Sequence, residues 1–262
     1  MLDDLVAGAV ADASARRAVR SLSQVEADAA AAPPALDALA ALAPADRVKI
    51  IAEVKRASPS RGQLAEIRDP AALAVSYQTG GASAISVLTE QRKFNGSLDD
   101  LAQVRAAVDI PVLRKDFIAD PYQVFEARAA GADLVLLIVA ALDQKVLGEL
   151  HELITSLGMT ALVETHSAEE VERALDVGAA VVGVNARNLS TFELDRDLFG
   201  TLADRIPSGV IRIAESAVKE PADVAHYRAS GADVVLVGEA LVTGGDPVTT
   251  LREFLTNTGL VH

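Results

Sequence analysis

A Gly-Ala pair followed by an apolar run occurs four times in this chain: Gly81-Ala82 before residues 85–88, Gly131-Ala132 before 134–139, Gly178-Ala179 before 181–184, and Gly231-Ala232 before 234–237. Each pair closes a segment with helical spacing. Glycine suits the left-handed position just past a helix, and an unbroken apolar run suits a parallel strand covered on both faces. Each copy therefore reads as helix, stop, buried strand, and the repeating unit is βα. Four more runs, 48–54, 111–113, 160–163 and 210–214, bring the candidate strands to eight. Their centres lie about 20 to 35 residues apart, as strand-plus-crossover units require. The spacing predicts helices over 70–79, 97–108, 121–130, 143–157, 168–177, 196–205, 221–230 and 247–256, several opening on proline or on an acidic or hydroxyl cap. Eight such units fit a (β/α)8 TIM barrel better than an open doubly wound sheet. No Gly-x-Gly-x-x-Gly follows the first strand, which argues further against a dinucleotide fold.

The expected division is a helical extension over 1–46 and a barrel over 47–262. The extension is Ala-rich from 2 to 32 and is followed by Pro33-Pro34 and Pro44. Its plain reading is one or more helices capping the barrel bottom, with a linker at Pro33-Pro34 as the alternative. The absence of cysteine excludes disulfides, thiolate metal sites and a catalytic thiol. A formal charge of −13, from 24 Lys and Arg against 37 Asp and Glu, has the wrong sign for a nucleic-acid or anionic-membrane binder. An anionic ligand therefore needs a local site. The start Met1-Leu2-Asp3-Asp4-Leu5 is acidic where a secretory signal is basic, and no run approaches the ~20 apolar residues of a spanning helix. The expectation is a cytoplasmic protein.

In such a barrel, chemistry sits where strands end. The first candidate strand ends Glu53-Val54-Lys55, and the period of two turns Glu53 and Lys55 inward and Val54 toward the helices. The third ends Arg114-Lys115-Asp116, the fifth Val163-Glu164, the sixth Asn185-Ala186-Arg187, and the seventh Glu215-Ser216. Two lysines and three carboxylates are thus expected at one mouth. Ion pairs that merely fill the barrel top are the bland reading. Replacing a buried pair by apolar residues is often neutral or stabilising, so stability alone explains five gathered charges poorly. Opposed Lys and Glu suit general acid–base work.

Ser216, Ala217 and Gly238 stand where barrel loops offer backbone N–H groups to a phosphate, and Ser58 adds a hydroxyl. Phe94 and Phe117 follow strand ends and serve either as core or as walls for a ligand ring. His151, His166, His226 and His262 share no metal-ligand spacing and are read as structural, although His166 lies just past Glu164. Glu169, Glu170 and Glu172 read as a solvated helix face.

At these residues the sequence resembles the indole-3-glycerol phosphate synthase family, over most of its length. The segment Ile51-Ala52-Glu53-Val54-Lys55-Arg56-Ala57-Ser58-Pro59-Ser60 is similar to the family signature. Phe94-Asn95-Gly96-Ser97, Leu113-Arg114-Lys115-Asp116-Phe117, Leu136-Leu137-Ile138-Val139, Val184-Asn185-Ala186-Arg187 and Ile213-Ala214-Glu215-Ser216 follow in the family's order. The resemblance implies ring closure, decarboxylation and dehydration of 1-(2-carboxyphenylamino)-1-deoxyribulose 5-phosphate. It implies Lys115 as general acid, Lys55 holding the substrate carboxylate, and Glu164 and Glu53 as acid–base groups whose division of labour stays open. Glu215 and Asn185 are implied for the sugar hydroxyls and Arg187 for anionic charge. Phe94, Phe117 and Leu136 are implied for the aromatic ring, and Ser58, Ser216, Ala217, Gly238 and Glu239 for phosphate. No metal or organic cofactor, nucleic acid or membrane partner is implied, and a monomer or weak homodimer is expected. The family's extension lies near the site mouth, against the barrel-bottom placement. Two departures stand out. Ala217 replaces the family's usual Gly, and Glu239 stands where many members have Ser or Ala, so its carboxylate is expected to turn outward. The rival readings are an isomerase-like phosphate barrel and a barrel that binds without catalysing.

Overall fold

The computed structural model describes residues 2–188, 191, 193–243 and 245–256. Parallel strands β1 (Lys49–Val54), β2 (Ala84–Leu88), β3 (Val112–Lys115), β4 (Leu134–Ile138), β5 (Thr160–Thr165), β6 (Val181–Asn185), β7 (Ile211–Glu215) and β8 (Val234–Val237) each pair with the next, and β8 pairs with β1. The sheet closes into an eight-stranded barrel. His262 lies outside the described residues.

Three helices precede the barrel, α1 (Leu2–Val19), α2 (Leu22–Ala31) and α3 (Ala38–Leu42), and the crossovers supply α4 (Pro70–Gly80), α5 (Leu98–Ala107), α6 (Pro121–Ala129), α7 (Gln144–Ser156), α8 (Ala168–Asp176), α9 (Leu198–Ala203) and α10 (Pro221–Ala229). After β8 come the short α11 (Glu239–Thr243) and α12 (Pro247–Thr256). The helix starts follow capping chemistry. Asp69 accepts from the Ala72 N–H with Pro70 in the first turn, Asp120 accepts from Tyr122 with Pro121 behind it, and Ser97, Asp143 and Ser167 cap α5, α7 and α8 in the same way. At the other end all four Gly-Ala pairs stand as expected, their glycines in the left-handed region, from φ 79° at Gly178 to 106° at Gly81.

The period of two divides the strand side chains into two cores. Ile51, Leu113, Leu134, Leu136, Leu162, Ile213 and Leu236 fill the barrel interior. Val54, Val87, Val135, Val163, Val184 and Val235 face the helices. The residues that bear chemistry end the strands, since β3, β5, β6 and β7 run on to Lys115, Thr165, Asn185 and Glu215 rather than stopping at the last apolar position. The helix expected over 196–205 is shorter, Leu198–Ala203, and the apolar stretch after β4 turns at once into a 3-10 helix, Val139–Ala141.

The extension corrects its expected placement. Its Ala-rich segment breaks at Ser21, whose hydroxyl accepts from the Gln24 N–H while Gln24 Oε1 accepts from the Ser21 N–H at 2.7 Å, a capping box that starts α2. Only α3 covers the barrel bottom. Ala38 and Leu42 join the interior core there, and the Leu36 N–H donates to Asp133 Oδ1 at 2.7 Å just before β4. The first helix lies across the opposite end. Leu2, Leu5 and Ala9 form a stripe one turn apart, and the apolar surface left for it is that of Phe117, Leu136 and Ile138 at the strand ends. Two ion pairs clamp it there. Arg92, after β2, holds Asp12 (Nη2 to Oδ1 2.7 Å), and Arg16 holds Glu126 of α6 (Nη2 to Oε2 2.8 Å). Among the described residues no helix is long and apolar enough to cross a membrane.

Candidate active site

A cavity of about 620 Å³ opens at the carboxyl ends of the strands, within the range of small-molecule sites. Glu53, Lys55, Lys115, Glu164, Asn185 and Glu215 all line it. Residues separated by as many as 162 positions thus meet because each ends, or immediately follows, a strand of one closed sheet.

The charges alternate across the mouth. Lys55 Nζ is 2.8 Å from Glu53 Oε1, and Ser86 Oγ donates to Glu53 Oε2 at 3.2 Å. Lys115 Nζ stands 3.5 Å from Glu164 Oε2 and 3.4 Å from Glu215 Oε2. Burial alone would lower the Lys115 pKa, but the carboxylates of Glu164, Glu215 and Glu53 outweigh it, and the ammonium is held charged well above the usual lysine range. Burial would raise Glu53 and Glu164. Lys55 and Lys115 outweigh it for Glu53, and Lys115 and His166 for Glu164, so both stay ionised below the ordinary value. Glu215 goes the other way: burial and the neighbouring Glu164 push it up to about 8. Glu164 and Glu215 thus differ in how firmly they hold a proton, although both stand beside the Lys115 ammonium. All four oxygens of this pair are sealed from solvent, and among the described residues none has a well-formed hydrogen bond. Their nearest cations stand 3.4–3.5 Å away, so donors arriving with a ligand would complete their hydrogen bonding.

Two glycines create the room. A Cβ on Gly183 of β6 would lie 2.2 Å from Glu215 Oε1, and one on Gly238 would lie 2.6 Å from Glu53 Oε1 and 3.1 Å from Lys55 Nζ. Gly238 has no positive φ, so close approach rather than turn formation demands glycine there.

Asn185 Oδ1 accepts from Ser216 Oγ at 2.8 Å and from the Arg187 N–H at 3.0 Å, tying the β6 and β7 loops together. Ser216 and Ala217 both adopt left-handed backbone, φ 70° and 58°, and Tyr227 Oη donates to the Ser216 carbonyl at 3.2 Å. Holding a non-glycine residue there costs roughly 1–2 kcal/mol, so Ala217 carries strain that a glycine would avoid. Ser58, Arg187, Ser216, Ala217, Gly238 and Glu239 line the same cavity. The Glu239 carboxylate turns to Arg61, whose Nε donates to it at 2.9 Å. Phe94 and Phe117 also line the cavity, their rings tilted with centroids 6.1 Å apart, in one apolar cluster with Leu136.

Several participants were not anticipated. Residues 57–63 form a two-stranded ribbon, Ala57–Ser58 with Gly62–Gln63, that lays Ser58 and Arg61 over the mouth; strands of two residues leave no periodic trace. Leu5 of α1 and Lys219 also line the cavity. Behind Lys115, the fully buried Arg114 guanidinium bonds Thr89 Oγ1 (3.2 Å), the Gln123 carbonyl (2.6 Å) and Asp116 Oδ2 (3.0 Å), and lies 3.6 Å from Glu126. It joins the lysine-bearing strand to the helix that Arg16 grips. The acidic triplet needs a correction. Glu169 and Glu172 are exposed, but Glu170 accepts from the His166 N–H at 2.7 Å and faces its Nδ1 at 3.2 Å. The imidazole brings Nε2 to 3.5 Å from Glu164 Oε1. The signal was present: Glu164 and His166 are two apart, the spacing that turns strand residues to one side.

The family model for indole-3-glycerol phosphate synthase matches residues 2–254. The indole-3-glycerol phosphate synthase of Leifsonia xyli subsp. xyli is 75% identical over 254 residues, covering 97% of each chain. That of Mycolicibacterium gilvum is 61% identical over 256 residues, 98% of this chain and 94% of the relative. Among solved structures, a 3-hexulose-6-phosphate synthase superposes with TM-score 0.65 at 19% identity, over 81% of this chain and all of that one (100%). An N-acetylmannosamine-6-phosphate 2-epimerase from Clostridium perfringens does so with TM-score 0.60 at 15% identity, over 75% and 88%. At these identities the structural matches speak to the barrel alone.

Proposed function

Since the chain belongs to the indole-3-glycerol phosphate synthase family, a decarboxylating carbon–carbon lyase of tryptophan biosynthesis (EC 4.1.1.48), we propose that Lys115 is the general acid of its ring closure and that Glu164 is the base of its dehydration. The reaction closes a ring in 1-(2-carboxyphenylamino)-1-deoxyribulose 5-phosphate, expels carbon dioxide and water, and yields indole-3-glycerol phosphate. A ring carbon of the anthranilate attacks a weakly electrophilic ketone, and the alkoxide that develops needs a proton and a positive charge at once. Lys115 offers both, because the neighbouring carboxylates, Glu164 foremost, keep the ammonium charged.

Lys55 holds the substrate carboxylate until carbon dioxide leaves, and it then assists loss of the hydroxyl. Glu164, ionised and buried, removes the proton that the dehydration releases, with Glu53 as the second acid–base group. Glu215, protonated near neutral pH, donates to a sugar hydroxyl beside Asn185. Phe94, Phe117 and Leu136 clasp the aromatic ring. Ser58, Ser216, the Ala217 and Glu239 N–H groups, Gly238 and Arg187 take the phosphate, whose binding energy positions the distant reacting ends. The same reading has the barrel of 47–262 as catalytic unit and 1–46 as its extension. It has the protein acting in the cytoplasm as a monomer or weak homodimer on a small phosphorylated substrate, with no cofactor, nucleic acid or membrane.

One observation carries the assignment of roles: the buried Lys115 ammonium stands between two carboxyl groups whose oxygens make no well-formed bond among the described residues. Lys115→Ala tests it by indole fluorescence and by binding of a non-reacting substrate analogue. Turnover falls about 10²-fold or more, the usual weight of a positioned acid, while analogue affinity changes far less. Retained turnover removes Lys115 from the role.

A further inference from the structure

His166 lies just past the end of β5, and its imidazole spans two carboxylates. Nδ1 faces Glu170 Oε2 at 3.2 Å, and the same oxygen accepts from the His166 backbone N–H at 2.7 Å. Glu170 opens α8, where its backbone N–H donates to Ser167 Oγ, and its carboxylate is thus carried on the first turn of a capped helix. With one ring edge anchored there, the other edge is aimed inward, where Nε2 lies 3.5 Å from Glu164 Oε1 and has no other partner among the described residues. The Glu164 side chain is 1% exposed and that of His166 14%, so water contributes little to either group's charge.

We infer that His166 is the positioning residue of Glu164: an imidazolium tied to Glu170 through Nδ1–H, with Nε2–H holding Glu164 Oε1, so that Oε2 faces Lys115 and the substrate in ionised form. The inference rests on Glu164 being the base. The alternative tautomers fit the geometry poorly. A neutral ring that keeps Nδ1–H for Glu170 turns the Nε2 lone pair onto a carboxylate, and only a protonated Glu164 tolerates that. The protonation states of the two residues are therefore linked. A charged ring goes with an ionised, functional Glu164, and a neutral ring with a Glu164 that loses its grip or its charge.

The titratable groups facing the ring support the same state. Glu164 lies on its own strand, Glu170 on α8 and Glu215 on β7, and Glu193 and Asp195 of the loop after β6 line the hollow outside it; Lys115 is one carboxylate further away. Burial lowers the imidazole pKa, but the carboxylates of Glu170 and Glu164 outweigh it and hold the ring above its ordinary 6.5. Glu170, which the sequence presents as part of a solvated helix face, is in this reading the anchor of the array.

The chain has four histidines, so His166 is assignable by NMR titration of the imidazoles. In the intact protein it should titrate above 6.5, and in Glu164→Gln lower by about one unit, the effect of removing one close carboxylate. An unchanged His166 titration in Glu164→Gln overturns the inference, and this arm needs no turnover. The second arm is kcat against pH. His166→Gln keeps a neutral donor without the charge, so the acidic limb should move up by about one pH unit while KM stays within about twofold. A uniform loss at every pH, or an unmoved limb, marks His166 as structural only. If His166→Gln does not fold, the first arm decides. Glu164→Gln separates the two readings: near-normal turnover in that variant removes Glu164 as base, whereas lost turnover with an unmoved His166 removes only the inference made here.

Discussion

Replacing Gly183 by alanine is the sharpest single perturbation of the mouth. The added Cβ would lie 2.2 Å from Glu215 Oε1, 3.2 Å from Glu215 Cδ and 3.2 Å from Leu162 Cδ1. An ordinary contact needs at least about 3.4 Å, so the carboxyl must retreat by roughly 1 Å. It has nowhere free to go, since Glu215 is 1% exposed and its other oxygen sits 3.4 Å from Lys115. Overpacking of this kind costs about 1–3 kcal/mol, and a 1 Å displacement in a catalytic array costs about 10²-fold in rate. Thermal melting should show a loss of about 2–12 °C, taking 2–4 °C per kcal/mol for a protein of this size. Indole fluorescence should show kcat reduced about 10²-fold. In a Glu215→Ala background the obstructing carboxyl is gone, so Gly183→Ala should then cost less than about 1 kcal/mol, giving a coupling of about 1–2 kcal/mol. Wild-type melting and turnover in Gly183→Ala, or strict additivity in the double variant, would refute the placement of Glu215 against β6.

Two further outcomes follow from the same geometry. Ala217→Gly relieves a left-handed alanine worth roughly 1–2 kcal/mol but gives the unfolded chain about 0.4–1 kcal/mol more entropy, so calorimetry should find a net gain of about 0.5–1 kcal/mol. Glu215 has its pKa raised from 4.5 to about 8, so its folded state binds the extra proton. Its contribution to stability is full below about 4.5 and is lost as pH rises through about 8. Glu215→Gln should flatten the fall of melting temperature between those pH values, and an unchanged slope contradicts the assignment.

The barrel was legible because its signals are local and repeated. The Gly-Ala stops and the proline and serine starts fix helix limits to within a residue or two at most positions, and continuous apolar runs mark strands wetted on neither face. The site was legible for a related reason: a closed parallel sheet brings every strand's last polar residue to one rim, so Glu53, Lys115, Glu164, Asn185 and Glu215 were readable as a group without knowledge of their distances. Contacts set by tertiary choice were not readable. Nothing local says that α1 crosses the mouth while α3 goes beneath, because both present short apolar stripes and their destinations depend on distant partners: Arg92 and Glu126 for α1, the barrel interior and Asp133 for α3. Arg114 was hidden as one more charge beside Lys115, although the alternation that turns Lys115 inward turns Arg114 outward among Thr89, Asp116 and Glu126. His166 was passed over because its partner Glu170 sits on a helix whose charge pattern suggests solvent.

The central claim is that the strand-end ammonium and carboxyl groups face one bound molecule whose phosphate lies across the mouth at the Ser216–Ala217 turn. A crystal structure with an unreactive substrate analogue measures this directly. The account predicts phosphate oxygens about 3 Å from the backbone nitrogens of Ala217 and Glu239, and the analogue's ketone or equivalent oxygen about 3 Å from Lys115 Nζ. A phosphate bound away from that turn, or a ketone oxygen out of reach of Lys115, would contradict it.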